Sequence, residues 1–305
     1  MLFCDYFEKW VNTYKVGNVR QVTLQKYFNS LKQLKEIVPK LSIDNLNRQE
    51  YQNIINIYAA THEKVTVTDF HHQLKACIED LIYEELINCN PTKKVVLKGK
   101  APKEKKPKFL SQFETQCLIQ HLDLQDELNV DYLIFLIIKT GLRFSEALGL
   151  TPDDFNFTTQ TISINKTWDY KAGSLNGNFA PTKNPSSVRT IQVDWRTLQR
   201  FSELIRDIPE DNPIFLYNRK ALANSTANDF LEKKCKESHI PVISVHGLRH
   251  THASLLLASG VSIASVAKRL GHSNMATTQK VYLHIIKELE NKDNALAVAS
   301  MMNLG

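Results

Sequence analysis

The sequence has little of what would place it in a membrane, a secreted scaffold or a metal-stapled module. No apolar run approaches the roughly 18 residues that crossing a bilayer requires, and the longest, at 132–138, suits a buried helix instead. The first residues lack the basic-then-apolar order of a secretory signal. Cysteine is sparse: Cys4, Cys77, Cys89, Cys117 and Cys235 are scattered, odd in number and form no C-x-x-C pair. That excludes a disulfide framework and a zinc finger, and it points to reduced thiols in the cytoplasm. There is no internal repeat and no low-complexity tract.

What is present is a soluble composition, 43% hydrophobic and 23% charged, over 305 residues, enough for two domains with separate cores. The net charge of +6 is a weak hint of a polyanionic partner; its distribution says more. Between residues 93 and 108 stand Lys93, Lys94, Lys98, Lys100, Lys103, Lys105, Lys106 and Lys108 against a single glutamate, with Gly99, Pro102 and Pro107 among them. This reads as a linker at 92–109, either merely solvated or neutralising phosphates as it crosses DNA.

Before the linker, 1–91 reads as a bundle of four short helices. Phe3, Tyr6, Phe7, Trp10 and Tyr14 recur at helical spacing, and Thr23 is placed to cap a second helix carrying Leu24, Phe28, Leu31 and Leu34. Tyr51, Ile54, Ile55 and Tyr58 mark a third helix, and a fourth runs from Phe70 toward Asn88. At these spacings the aromatics are core residues. After the linker, Ser111 and Glu114 form a capping box, a buried helix ends at Gly141, and 161–168 alternates like one strand, as does 188–193. The polar segment between those strands is a long loop or hairpin tip, and helices return from 198 onward. The expected class is mainly α with a small antiparallel β-sheet (α+β).

The stretch "HGLRHTHAS" at 246–254 raises the question of chemistry. On a helix His246 and His250 share a face, as two metal ligands would. Yet no Asp, Glu or Cys lies nearby to complete a metal site, and Arg249 occupies the same face, where a cation is disfavoured and a phosphate favoured. His252 points the other way and reads as structural. His272 follows Gly271, past a helix end, in a turn where a side chain can be aimed. Arg143 follows the Gly141 break, with Glu146 one helical turn on. Lys183 lies near the second strand, and Tyr282 rides an amphipathic helix.

Singly, each has a plain structural explanation. In the order Arg, Glu, Lys, His-x-x-Arg, Gly-His, Tyr, the sequence closely resembles the tyrosine recombinase (phage integrase) family. The match lies in "TGLRFSEALGL", "TKNPSSVRTI", "HGLRHTHASLLLASGVSIASVAKRLGHS" and "TTQKVYLHI", over roughly residues 110 to 290. The wording is nearest to integrases of Gram-positive phages and conjugative transposons, while 1–91 resembles, more loosely, the family's helical (SAM-like) core-DNA-binding domain.

The resemblance implies a catalytic domain at 110–288 that cuts and rejoins DNA without metal or other cofactor, through a 3′-phosphotyrosyl bond and a free 5′-hydroxyl. Tyr282 is then the nucleophile, His246 the general base, Arg143 and Arg249 the clamp on the nonbridging oxygens, and His272 a further donor. Lys183 is the acid for the departing 5′-oxygen, and Glu146 orients Arg143. Lys166 and Lys171 compete with Lys183 for that role, though "TK" before "SSVRTI" favours Lys183. The tail at 289–305 is expected to pack on a neighbouring protomer in a tetramer on DNA, or else to fold back on its own domain. An excisionase or a host DNA-bending factor is an expected accessory partner. A chromosome-dimer resolvase and a catalytically silent DNA-binding regulator are the competing functions.

Overall fold

The computed structural model describes residues 1–101, 107–170, 177–216, 222–276 and 279. The chain divides into two compact units, Met1–Lys105 and Lys106–Gly305.

Among its described residues the first unit holds four α-helices: α1 (Phe3–Tyr14), α2 (Gln21–Ile37), α3 (Arg48–Ala59) and α4 (Lys64–Tyr83). Their inward stripes, built on Phe3, Phe7, Trp10, Tyr51, Ile54, Ile55, Phe70 and Leu74, form one core. Each large side chain buried this way contributes about 2–3 kcal/mol. The Trp10 indole N–H is satisfied by Asp80 on α4. Two expectations are corrected. Thr23 lies inside α2, which begins at Gln21 after Arg20 with no side-chain cap; packing of Leu24 and Leu31 sets that helix rather than a hydroxyl. The fourth helix stops at Tyr83, with Glu85 in the left-handed region just beyond it.

Part of the lysine-rich segment belongs to this unit rather than floating between domains. Gln52 of α3 donates to Val96 O at 2.9 Å and accepts from Val96 N at 2.8 Å. Lys100 N donates to His62 O, and Val95 and Leu97 pack on the core.

The second unit opens with α5 (Gln112–Gln120), capped reciprocally by Ser111 and Glu114. Next come α6 (Val130–Thr140) and α7 (Phe144–Leu148), then β1 (Phe155–Asn156), β2 (Thr161–Ile164), β3 (Lys166–Asp169), β4 (Asn178–Pro181) and β5 (Arg189–Gln192). The helices α8 (Trp195–Leu204), α9 (Asn224–Glu237), α10 (Val245–Ala258) and α11 (Ile263–Leu270) follow. The class is mainly helical with small antiparallel sheets, as the sequence implied.

The sheet differs in detail from the expectation. The alternating run at 161–168 is two strands, not one: β2 pairs with β1 and β5 in the order β1-β2-β5, whereas β3 pairs with β4 in a separate ribbon. The polar stretch thus includes a strand of its own. Helix α6 is nearly all apolar because it is buried on most sides, and it packs against α10. That contact places the two segments carrying Arg143 and Arg249 side by side.

Candidate active site

Two helices end in left-handed glycines, Gly141 after α6 (φ 70°) and Gly271 after α11 (φ 68°). Both positions also demand the absence of a side chain. A Cβ on Gly141 would stand 2.6 Å from the His252 ring, and one on Gly271 would stand 3.0 Å from Ser187 Cα and Ser186 O. The two caps turn helix C-terminal carbonyls, the negative ends of the helix dipoles, toward the same region.

Arginines fill it. Arg249, on α10 and almost wholly buried, donates from Nη1 to Gly141 O at 2.7 Å and from Nη2 to Leu270 O at 2.6 Å. Arg143 donates from Nη2 to Gly271 O at 3.2 Å, and from Nη1 to Ser187 Oγ at 3.1 Å and Glu146 Oε1 at 2.5 Å. Its side chain keeps 20% of its surface open to solvent.

Glu146 is the counter-charge at the centre. It caps α7 by accepting the Arg143 backbone N–H at 3.0 Å. Oε2 also accepts from Arg189 Nη2 at 3.0 Å, with Arg249 Nη1 at 3.9 Å. Burial pushes the Glu146 carboxyl up, but the Arg189, Arg143 and Arg249 guanidinium groups outweigh it and hold the pKa below its usual value. The pair expected from sequence spacing is therefore part of a buried network, where each charge is partnered.

The histidines are neutral bases. His246 lies exposed at the mouth of the site, edge-to-face with His250 at 4.8 Å between ring centroids. Crowding by the surrounding protein lowers its pKa first, and the charges of Arg249, Arg143 and Lys183 lower it further. His272, half-buried just after Gly271, is pushed down to about 4 by burial and then by Arg249 and Arg143. The shared influence of those arginines on His246 and His272, with Lys183 acting on His246, gathers these predicted residues into one electropositive cluster. A neutral imidazole can accept a proton or donate one N–H, which is what a base and a phosphate donor need.

The other residues of the stretch support it. His252 is buried; its Nδ1–H donates to Ile138 O at 2.8 Å while Nε2 accepts from Arg269 Nε at 3.0 Å, which fixes the tautomer. Thr251 accepts from Leu110 N and donates to Gly247 O. Of the competing lysines, Lys166 is committed elsewhere, 2.5 Å from the buried Asp154 carboxylate. Lys183 is exposed on the segment leaving β4. Lys171 and the expected nucleophile Tyr282 lie outside the described residues. Lys93, Lys94, Lys98 and Lys100 are exposed on the first unit and Lys108 on the second; Lys103, Lys105 and Lys106 lie outside the described residues. Among the described residues no group of three or more His, Cys, Asp or Glu could hold a metal, and no helix is long and apolar enough to cross a membrane.

Sequence reasoning missed Arg189, Ser187 and Arg269. A signal existed for the first: alternation in β5 puts Arg189 on the same side as the buried Ile191, an unusual place for a charge.

Two arginines carried on helix ends, flanked by neutral histidines and a lysine, make a cluster of hydrogen-bond donors and positive charge chemically suited to an anion. A family model described as "Phage integrase family" matches residues 108–288. The ICEBs1 integrase of Bacillus subtilis (strain 168) is 28% identical over 246 residues, covering 74% of this chain but 64% of that relative, so the chain spans just under two thirds of its length. Tyrosine recombinase XerC of the same organism is 26% identical over 283 residues, 89% of this chain and 88% of that one. Among solved structures, the Tn1549 transposon integrase in complex with transposon right end DNA shares the fold, with a TM-score of 0.76, 21% identity, and coverage of 92% of this chain and 95% of that one. With the family model matching more than half of its length, this chain belongs to the phage integrase family, the tyrosine-type site-specific recombinases.

Proposed function

We propose that the protein is the integrase of a mobile element, inserting and excising it by cutting and rejoining DNA strands at attachment sites. The observation that carries this is the convergence of Arg143 and Arg249 on helix C-terminal carbonyls beside His246 and His272. In this reading Tyr282 attacks the scissile phosphate and keeps it as a 3′-phosphotyrosyl ester. Ionising a tyrosine of pKa about 10 at neutral pH costs roughly 4 kcal/mol, so the proton is taken during attack. His246, held neutral, takes it. Arg143 and Arg249 meet the charge growing on the nonbridging oxygens, where planar bidentate donors are most effective. His272 donates to the same phosphate. Lys183 protonates the departing 5′-oxygen.

The lysines at 93–108, of which Lys93, Lys94, Lys98, Lys100 and Lys108 are exposed, add phosphate contacts outside the site. Self-association into a tetramer on double-stranded DNA, with the tail at 289–305 contacting a neighbour, completes the reading. Its setting is the cytoplasm, at the nucleoid, with an excisionase or host DNA-bending factor as accessory.

The test is a DNA site nicked near the cleavage position, so that the released fragment diffuses away. A covalent protein–DNA adduct that vanishes in Tyr282→Phe supports the reading, and absence of any adduct with attachment-site DNA sinks it. The nearly full-length similarity to XerC favours one rival, a chromosome-dimer resolvase. Recombination at a chromosomal dimer-resolution site, with none at element ends, would select that rival.

A further inference from the structure

Arg189 is the most heavily committed side chain around the clamp that the roles above leave unassigned. It sits at the start of β5, its side chain only 7% exposed, and spends its guanidinium on three partners. Nε donates to Arg269 O at 2.6 Å, at the end of α11. Nη1 donates to Ser187 O at 2.8 Å, and Nη2 to Glu146 Oε2 at 3.0 Å.

Each partner leads to a different part of the site. Glu146 holds Arg143 on its other oxygen. Ser187 accepts from Arg143 through its hydroxyl. It also ends the turn that begins at Lys183: Ser187 N donates to Asn184 O at 2.9 Å, and Thr182 Oγ1 donates to Asn184 O at 3.1 Å. The Arg269 carbonyl lies in the last turn of α11, one residue before the Leu270 O that anchors Arg249 and two before the Gly271 O that anchors Arg143.

We propose that Arg189 is a positioning residue that locks the arginine clamp and the Lys183 segment into one register. It touches no reacting atom. A lysine could keep the charge beside Glu146, but a single ammonium cannot span three acceptors on three elements with a fixed planar fork. The proposal rests on the assignment of Arg143, Arg249 and Lys183 given above.

Single-turnover adduct formation on the nicked site tests it, with DNA affinity measured in parallel. Arg189→Met is expected to cleave roughly 100-fold more slowly, the scale of an ångström-level misplacement, with affinity within about threefold of wild type since phosphate contacts elsewhere dominate binding. Arg189→Lys recovers only part of the rate. Two altered scissile linkages separate positioning from mere folding. A methylphosphonate, lacking one charged oxygen, relaxes the need for the clamp. A 5′-bridging phosphorothiolate has a leaving group that needs no acid. Both narrow the gap between Arg189→Met and wild type if Arg189 sets clamp and lysine together. Narrowing on neither, full recovery by lysine, or an equal loss of DNA affinity would overturn the proposal. Should Arg189→Met not fold, Arg189→Lys and Ser187→Ala carry the same comparison, each expected to show a deficit that narrows on both linkages. If wild type itself forms no adduct, the assignment of the site fails, which is distinct from wild type reacting and Arg189→Met matching it.

Discussion

Arg249 donates from Nη1 to the carbonyl of Gly141 at 2.7 Å, tying helix α10 to the end of α6, while Nη2 reaches Leu270 O at the end of α11. One guanidinium thus bridges two helix termini, and both carbonyls depend on it. Replacing Arg249 with alanine orphans two buried acceptors at about 1–3 kcal/mol each, so loss of activity in that variant would mix chemistry with unfolding. Arg249→Lys is the cleaner probe. It keeps the charge but cannot bridge both carbonyls while meeting a phosphate, and adduct formation is expected to fall by about 10²–10³-fold. DNA binding at moderate salt should remain within a few-fold. Wild-type cleavage by the lysine variant would remove Arg249 from the clamp.

The same junction makes Gly141 a sharp stability test. Alanine there must adopt a left-handed φ, costing about 1 kcal/mol, and its Cβ would overlap the His252 ring and a Leu270 methyl. Overpacking adds about 1–3 kcal/mol. Urea unfolding of Gly141→Ala is expected to show a loss of about 3 kcal/mol with an unchanged denaturant slope. A loss under 1 kcal/mol would mean that the three elements part easily.

Much of this was legible in the sequence, because the signals were local. Helical spacing gave the four-helix unit, Ser111 and Glu114 the start of α5, Gly141 the end of α6, and His246-x-x-Arg249 a shared face. What failed was non-local. Alternation continues through "TISINKTW", so nothing local marks the exchange of one sheet for another at Asn165. Alternation puts Arg189 on the buried side of its strand, but its partner Glu146, 43 positions earlier, is not legible from there. The carbonyls of Gly141, Leu270 and Gly271 are backbone atoms, which no residue type announces, yet they anchor both clamp arginines. The sequence favoured Lys183 over Lys166 by its motif alone, and the ion pair that commits Lys166 to Asp154, 12 positions earlier, was not legible there.

The depressed histidines give stability a defined dependence on pH. His250, His252 and His272 are held at about 4 against an ordinary 6.5, each chiefly by burial. The unfolded chain therefore binds protons that the folded one refuses, and stability is full above pH 6.5 and is lost as pH falls toward 4. For the buried His252 the loss is about 3 kcal/mol. Glu146 is depressed too, so its contribution is present above its ordinary 4.5 and disappears only below that. Urea midpoints measured across this range should fall in two stages. His252→Gln is expected to flatten the upper stage, and Glu146→Gln the lower. A midpoint level from pH 7 to 4 would contradict the neutral state of these rings.

The two lysines of the β3–β4 ribbon and its exit should separate cleanly by experiment. Lys166 sits 2.5 Å from Asp154, whose carboxylate is only 3% exposed and also caps Thr151. Removing it leaves a buried charge without its cation, so Lys166→Met is expected to lower stability by about 3 kcal/mol. The folded variant should still cleave at close to the wild-type rate. Lys183 is exposed, and Lys183→Ala should leave the urea midpoint unchanged. Without its proton the 5′-alkoxide is a poor leaving group, and cleavage is expected to drop by about 10²–10⁴-fold, the usual range for general acid–base catalysis. A 5′-bridging sulfur, whose thiolate leaves without protonation, should restore Lys183→Ala to near the wild-type rate while doing nothing for Arg249→Lys. Failure of the sulfur to restore Lys183→Ala would show that Lys183 acts on the phosphate rather than on the leaving oxygen, because only an acid is made dispensable by a better leaving group. Equal restoration of Arg249→Lys would remove the distinction between acid and clamp.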